Sequence, residues 1–164
     1  MKRYKDLLLW VKNLRRLSML LKILDLVAVT FTACAFAATV AITATADMLY
    51  AVKLLAVCGI PFVAVSGIRR LINAPRPYEL FDDIYERPPK NKKGCSFPSR
   101  HVFSAFSIGT VLCFLYPIVG AVTILLGAVI AAARVLLGKH FLRDVIAGAL
   151  IGAVTSVIGM IIMI

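Results

Sequence analysis

The chain has 164 residues, 61% of them hydrophobic, with a mean hydropathy of +0.92 and a formal net charge of +11. A soluble domain of this size is less apolar, so the composition excludes that class and predicts an integral membrane protein. Because no soluble domain is left to carry it, the positive charge does not indicate nucleic-acid binding.

Residues 1–22 predict an amphipathic helix at the membrane interface. Leucines recur at helical spacing between Leu7 and Leu21, and lysines and arginines are interleaved with them. Too many charges interrupt this stretch for it to cross a bilayer, whereas an interfacial helix accommodates them. The alternative is a charged flank that only orients the first span.

Residues 23–164 predict a single transmembrane domain, an all-α bundle of five spanning helices. About 20 apolar residues, rising 1.5 Å each, cross the hydrocarbon core of a bilayer. Four segments meet that length, at residues 23–45, 49–68, 118–137 and 145–164. A fifth segment, residues 101–116, is shorter but apolar, and Pro117 separates it from the next span.

The basic residues form three clusters. Of the 19 lysines and arginines, all but Lys53 fall within residues 1–22, 69–100 and 134–143. If the chain crosses the membrane five times, the three clusters lie on one membrane face. The positive-inside bias favours the cytoplasmic face for them. The loop over residues 78–96 is expected to cover this face as a lid, or else to be a solvated linker.

Three motifs border this face: RRLINAPRP at residues 69–77, FPSRH at residues 97–101 and ARVLLGKHFLRD at residues 133–144. Ionisable side chains at a bilayer edge are costly unless solvated or paired, so they indicate a functional site. Guanidinium groups match phosphate oxygens with planar donor forks, which gives Arg69, Arg76 and Arg134 a phosphate-binding role. Ser99, at a helix start, would direct backbone N–H groups toward the same anion.

The remaining residues of the motifs suit phosphate-ester hydrolysis. His140 and Asp144 are four residues apart and share a helix face, so the carboxylate can hold one imidazole nitrogen and leave the other to attack phosphorus. His101 is then available as the general acid. Because no carboxylate cluster suited to magnesium lies nearby in the sequence, we expect a phosphohistidine intermediate and neither a metal nor another cofactor.

The three motifs resemble the signature of the type-2 phosphatidic acid phosphatase superfamily, integral membrane relatives of the vanadium haloperoxidases. That signature reads Lys-x6-Arg-Pro, then Pro-Ser-Gly-His, then Ser-Arg-x5-His-x3-Asp. The chain has Arg69-x6-Arg76-Pro77, Pro98-Ser99-Arg100-His101 and Ala133-Arg134-x5-His140-x3-Asp144. The resemblance runs from about residue 69 to residue 150. It implies that His140 is the nucleophile, Asp144 its orienter and His101 the acid, with phosphate held by Arg69, Arg76, Arg134 and Ser99.

Three positions depart from the signature: Arg69 replaces a lysine, Ala133 a serine and Arg100 the glycine. Arg100 adds bulk and a further cation beside the phosphate, so we include it among the phosphate-binding residues. Since the nucleophile, acid and orienter are present, we expect activity with an altered substrate preference. The alternative is a catalytically silent relative that binds anionic lipid or scaffolds a membrane complex.

The expected substrate is a phosphate monoester or pyrophosphate of a membrane lipid, and membrane lipids are the expected partners. Candidates are phosphatidic acid, phosphatidylglycerophosphate and polyprenyl phosphates or pyrophosphates, with some preference for an isoprenoid carrier. We expect a multi-pass protein of a bacterial cell membrane. The charge bias favours a cytoplasmic site, whereas family members of this type commonly present the site to the outer or lumenal face, which is the alternative.

Overall fold

The computed structural model describes residues 2–81 and 93–163, and this part of the chain is helical, without a β-strand. The all-α prediction is confirmed. The helices are α1 (Lys2–Asn13), α2 (Arg15–Ala46), α3 (Met48–Ile72), α4 (Pro77–Leu80), α5 (Arg100–Leu115), α6 (Pro117–Leu136) and α7 (Leu142–Met163). Residues 82–92 of the expected lid lie outside the described residues.

Within residues 2–81 and 93–163, four stretches are long and apolar enough to cross a membrane, and they match the four longest predicted spans. They are Arg15–Ala46, Met48–Leu80, Pro117–Leu136 and Leu142–Ile162. Their outward surfaces expose large apolar side chains such as Leu26 and Ile118. A contiguous exposed apolar surface of this kind is typical of contact with lipid.

Helix α5, with 16 residues, is shorter than these four and lies at the centre of the bundle. Helices α6 and α7 pack most extensively against it, and α3 and α2 cover its other sides. Val102, Val111 and Leu112 on α5 have no exposed surface. Because the motif FPSRH leads directly into α5, it lies at one end of the bundle core.

Small residues on α7 allow it to approach α5 closely, as is common between membrane helices. A Cβ atom on Gly148 would lie only 2.6 Å from the carbonyl oxygen of Ser99. Two turns further along α7, the hydroxyl of Ser156 lies 2.7 Å from that of Ser107. Asp144 precedes Gly148 by one turn, and its carbonyl accepts a hydrogen bond of 2.9 Å from Ser99 N. The close packing therefore presses the start of α7 against the start of α5.

The amino-terminal segment differs from its prediction as one helix over residues 1–22. Helix α1 ends at Asn13, Leu14 is non-helical with φ −86° and ψ 75°, and residues 15–22 belong to the long helix α2. The break lets α1 pack on the bundle, where Leu8 is buried with Phe81 beside the ring of Phe141. The inner face of α1 is thus covered by protein, while Trp10 is 57% exposed.

Candidate active site

A cavity of about 300 Å³ lies at the end of the bundle where the three motifs meet. Six of the eight predicted site residues line it: Arg69, Arg76, Arg100, His101, Arg134 and His140. The other two, Ser99 and Asp144, have no exposed surface and lie behind the cavity wall. Five further residues line the cavity that were not among the predicted site residues: Ser66, Arg70, Lys93, Gly94 and Cys95.

His140 lies in the tight turn between α6 and α7 and is only 3% exposed. Gly138 enters this turn with φ +65°, a left-handed conformation that glycine adopts without strain. The carbonyl of Arg134, in the last turn of α6, accepts hydrogen bonds from the backbone N–H groups of Lys139 (2.9 Å) and His140 (3.2 Å). The backbone of the predicted nucleophile is therefore fixed by the same residue whose side chain lines the cavity.

The side chains of His140 and Asp144 are joined through a third residue, Ser96. Nδ1 of His140 lies 3.7 Å from Oδ2 of Asp144, which is beyond hydrogen-bond distance. The hydroxyl of Ser96 donates a hydrogen bond of 2.5 Å to that same oxygen and lies 3.3 Å from Nδ1 of His140. Since the hydroxyl proton is given to Asp144, Ser96 Oγ can accept the Nδ1 proton. This arrangement leaves the lone pair on Nε2 of His140.

The carboxylate of Asp144 is further fixed by its own backbone turn. Phe141 N donates a hydrogen bond of 3.0 Å to Oδ2 of Asp144. Oδ1 of Asp144 is buried and has no hydrogen-bond partner among the described residues, although Arg143 Nε lies 3.5 Å away. The Asp144 side chain does not line the cavity, so the orienting role predicted for it would have to act through Ser96 and His140.

His140 is held in the form that can attack a phosphorus atom. Burial lowers the pKa of His140 below its ordinary value, and the nearby cations Arg76 and Arg69 lower it further, against the opposing effect of Asp144. A lowered pKa keeps the imidazole neutral at pH 7. A neutral ring with Nδ1 engaged is the nucleophilic tautomer at Nε2.

Arg69 supports the loop before α5 in addition to lining the cavity. Its side chain is 4% exposed, and its terminal nitrogens donate hydrogen bonds to the carbonyls of Cys95, Ser96 (3.2 Å) and Pro98. These bonds use much of the hydrogen-bonding capacity of the Arg69 guanidinium, which was predicted to bind phosphate. Because the same loop carries Ser96, Arg69 also sets the position of the serine between His140 and Asp144.

Arg76 donates from Nε to the carbonyl of Gly94, at 3.0 Å. Glu79 Oε1 accepts hydrogen bonds from Gly94 N (2.7 Å) and Arg76 N (3.3 Å), which closes a small ring of contacts. Within the described residues the terminal nitrogens of Arg76 have no hydrogen-bond partner. Arg76 can therefore present these two nitrogens to an anion in the cavity.

Arg134 is fixed by a residue that the sequence analysis did not place in the site. Nε of Arg134 donates a hydrogen bond of 2.9 Å to Oδ1 of Asp25 on α2, and Lys139 Nζ lies 3.1 Å from Oδ2 of the same carboxylate. Asp25 is 5% exposed. One sequence feature could have pointed to Asp25. It is an acidic residue within an apolar span, and such a residue is expected to have an ionic partner.

Arg100 and His101 form the first turn of α5 and are exposed. The guanidinium of Arg100 lies 5.8 Å from the ring centroid of Phe62. Both residues also line a second, apolar cavity of about 290 Å³ between helices α2, α3, α5 and α6. The charged cavity and the apolar cavity therefore adjoin at Arg100 and His101.

Ser99 lies at the helix start where it was expected, as the N-cap of α5. Its N–H is already bonded to the carbonyl of Asp144 at 2.9 Å and is not available to an anion. Its hydroxyl is buried and has no hydrogen-bond partner in the described parts of the chain. The predicted contact between Ser99 and phosphate stays a prediction, and any such contact requires the hydroxyl to be reached from the cavity.

Comparison with known proteins places the chain in a family. The model of the PAP2 superfamily matches residues 48–163. The chain is similar to LpxE from Aquifex aeolicus, at 25% identity and a TM-score of 0.65, over 84% of this chain and 86% of that one.

A second similar structure is the first transmembrane PAP2-type phosphatidylglycerolphosphate phosphatase from Bacillus subtilis. It has a TM-score of 0.70 and 18% identity, over 99% of this chain and 85% of that one, which is a likeness of fold. No curated protein sequence matches the chain. Because the family model covers more than half of the chain, including all three motifs, the protein belongs to the PAP2 superfamily.

Proposed function

We propose that the protein is a lipid phosphatase that hydrolyses a phosphate monoester or pyrophosphate of a membrane lipid through a phosphohistidine intermediate. The observation that carries the proposal is that both histidines line one cavity among arginines, with Nδ1 of His140 engaged by Ser96 and Asp144. Membership of the PAP2 superfamily supports phosphatase activity on lipid phosphates.

In the first step, the lone pair on Nε2 of His140 attacks phosphorus and a P–N bond forms. The P–O bond to the lipid breaks, and His101 donates a proton to the departing oxygen. Negative charge on the phosphoryl oxygens is stabilised by the terminal nitrogens of Arg76 and Arg134, without need of a metal ion.

In the second step, His101, now neutral, accepts a proton from a water molecule as the water oxygen attacks phosphorus. The P–N bond breaks, its electron pair returns to Nε2 of His140, and inorganic phosphate leaves. Throughout both steps the hydrogen bonds through Ser96 keep the proton on Nδ1 and stabilise the imidazolium character that develops in His140.

The apolar cavity next to the site supports a lipid rather than a soluble phosphate ester. It is lined by aliphatic and aromatic side chains, including Val29, Phe62 and Ile130, and adjoins the charged cavity at Arg100 and His101. An amphiphile can leave its hydrocarbon chain in this groove while its phosphate enters the charged cavity. A lipid phosphate diffusing in the bilayer is the substrate class that fits both environments.

The proposed membrane arrangement has α5 as the fifth span, α1 at the interface and the site on the cytoplasmic side. Helix α5 is apolar beyond Arg100 and His101, and it packs against α2, α3, α6 and α7. The exposed Trp10 and the lysines and arginines of α1 suit an anionic membrane surface. Cys95 lines the charged cavity, so an impermeant thiol reagent added to intact cells should not label it, and labelling would reverse the assigned side.

The test is a phosphate-release panel with purified protein across lipid headgroups and isoprenoid chains, run with and without EDTA. We expect release from at least one lipid phosphate, retention of activity in EDTA and loss of activity in His140→Ala. Absence of release from every lipid phosphate, with lipid binding intact, would instead support the anionic-lipid-binding or scaffold alternative.

A further inference from the structure

Asp25 on α2 is a buried carboxylate that the proposed reaction does not use. It is 5% exposed, and each of its oxygens contacts a cation more than 100 residues later in the chain: Arg134 at 2.9 Å and Lys139 at 3.1 Å. A carboxylate in an apolar span is costly, even when paired, compared with an apolar side chain of the same size. The stability of the bundle alone does not account for its presence.

The contact with Arg134 determines how that arginine can meet a substrate. Nε is bonded to Asp25, so the planar guanidinium is fixed in orientation, and its two terminal nitrogens have no hydrogen-bond partner in the parts of the chain that are described. Arg134 lines the charged cavity, whereas Asp25 does not. The pair therefore has the form of a substrate-binding arginine with a supporting carboxylate behind it.

The contact with Lys139 has a different consequence. Lys139 immediately precedes the nucleophile His140, yet it is absent from the lining of the cavity that His140 and Arg134 share. Its ammonium is directed instead to Asp25. Asp25 thus retains Lys139 outside the anion site, while Arg134 remains in it.

We propose that Asp25 is a positioning residue that orients Arg134 toward the phosphoryl group and holds Lys139 away from it. This inference rests on the proposed phosphatase function for its kinetic consequences. The orientation of Arg134 toward an anion can be measured separately from turnover.

The test compares Asp25→Asn with Asp6→Asn, the same chemical change at an exposed position of α1. We expect Asp25→Asn to lower kcat/KM by about tenfold to a hundredfold, because small misplacements of a binding group have effects of that size. Asp25→Glu, which keeps the charge, should recover part of the loss, and Asp6→Asn should behave as the wild type. In an Arg134→Ala background, Asp25→Asn should cost no more than about threefold, because the two residues act as a unit.

Inorganic phosphate provides the readout that does not depend on turnover. Phosphate should raise the unfolding temperature of the wild type and of Asp6→Asn, since it binds the folded state. Phosphate should raise the unfolding temperature of Asp25→Asn much less. A phosphate-dependent shift that survives in Asp25→Asn, or an equal kinetic loss with and without Arg134, would overturn the inference. A wild type that shows the phosphate shift but releases no phosphate from any lipid would refute the phosphatase and leave the role of Asp25 in anion binding standing.

Discussion

The hydroxyl of Ser96 lies between the predicted nucleophile and its carboxylate, 2.5 Å from Oδ2 of Asp144 and 3.3 Å from Nδ1 of His140. Asp144 and His140 are themselves 3.7 Å apart. The proton on Nδ1 is therefore held by the serine at least as directly as by the carboxylate. Ser96, which stands two residues before Pro98, is therefore placed to orient the predicted nucleophile.

Replacing Ser96 with alanine should lower kcat about tenfold to a hundredfold, since leaving a buried charged acceptor without its donor costs about 1–3 kcal/mol. KM should change little, because the Ser96 side chain does not line the cavity. Steady-state kinetics of Ser96→Ala in detergent checks this. Ser156→Ala, which removes an equally buried hydroxyl bonded to Ser107, is the control and should lower stability without a comparable loss of kcat. An unchanged kcat in Ser96→Ala would show that the serine is not part of the orienting contact.

The pH dependence of the reaction should report the lowered pKa of His140. The neutral ring is the reactive form, so activity is lost as the pH falls through the folded-state pKa of this histidine. Since burial, Arg76 and Arg69 lower that pKa, the acid limb of kcat/KM should lie below about pH 6.5, the ordinary value for histidine.

In Asp144→Asn, an opposing charge that raises the pKa of His140 is removed. Its acid limb should therefore move to still lower pH while the maximal rate falls. Profiles of kcat/KM against pH for the wild type and Asp144→Asn test the direction of this shift. An acid limb above pH 6.5 in the wild type, or a shift to higher pH in Asp144→Asn, would contradict the account.

The motif spacings predicted six of the residues that line the charged cavity, because each motif lies at the end of a helix that the bundle brings to one face. His140 and Asp144 are a local pair, but they do not share the predicted helix face. His140 lies in the turn before α7, and the turn at Phe141 brings the two side chains together. Ser96 was not predictable in this way, because its position depends on the path of the loop that Arg69 holds. Asp25 lies 109 residues before Arg134, and no local pattern links two positions so far apart.

The close contact between α5 and α7 should be required for both stability and activity. In Gly148→Ala the new methyl group would lie 2.6 Å from the carbonyl oxygen of Ser99. Overpacking of this kind costs about 1–3 kcal/mol, and it would move Asp144 relative to α5. The unfolding temperature in detergent and kcat should therefore both be lower than in the wild type.

Gly67→Ala is the matched control, because a Cβ atom there has nothing within 4 Å. In α3 this change should leave activity intact and stabilise the helix by up to about 1 kcal/mol. Equal behaviour of the two alanine variants would mean that the close approach of α7 to α5 is not what holds the site together.

Arg100, which stands where the family signature has glycine, should determine substrate preference. Its guanidinium lies over Phe62 at the junction of the charged and apolar cavities, where it can contact a second anionic group of the substrate. Arg100→Gly should raise KM for a lipid pyrophosphate more than for the monophosphate of the same chain, by about tenfold if one charge-assisted contact is lost. Arg143→Gly removes an exposed cation that does not line the charged cavity. It should not change the ratio of KM for the pyrophosphate to KM for the monophosphate. An unchanged ratio in Arg100→Gly would exclude Arg100 from substrate discrimination.

The most direct test of the account is to trap the covalent intermediate. A radiolabelled lipid phosphate should be mixed with purified protein in EDTA, quenched at alkaline pH, which preserves a phosphoramidate, and mapped by peptide mass. The account predicts phosphate on the His140 peptide, no label in His140→Ala and slower loss of label in His101→Ala, whose second step lacks its base. Hydrolysis without a labelled histidine under these conditions, or label retained in His140→Ala, would contradict it.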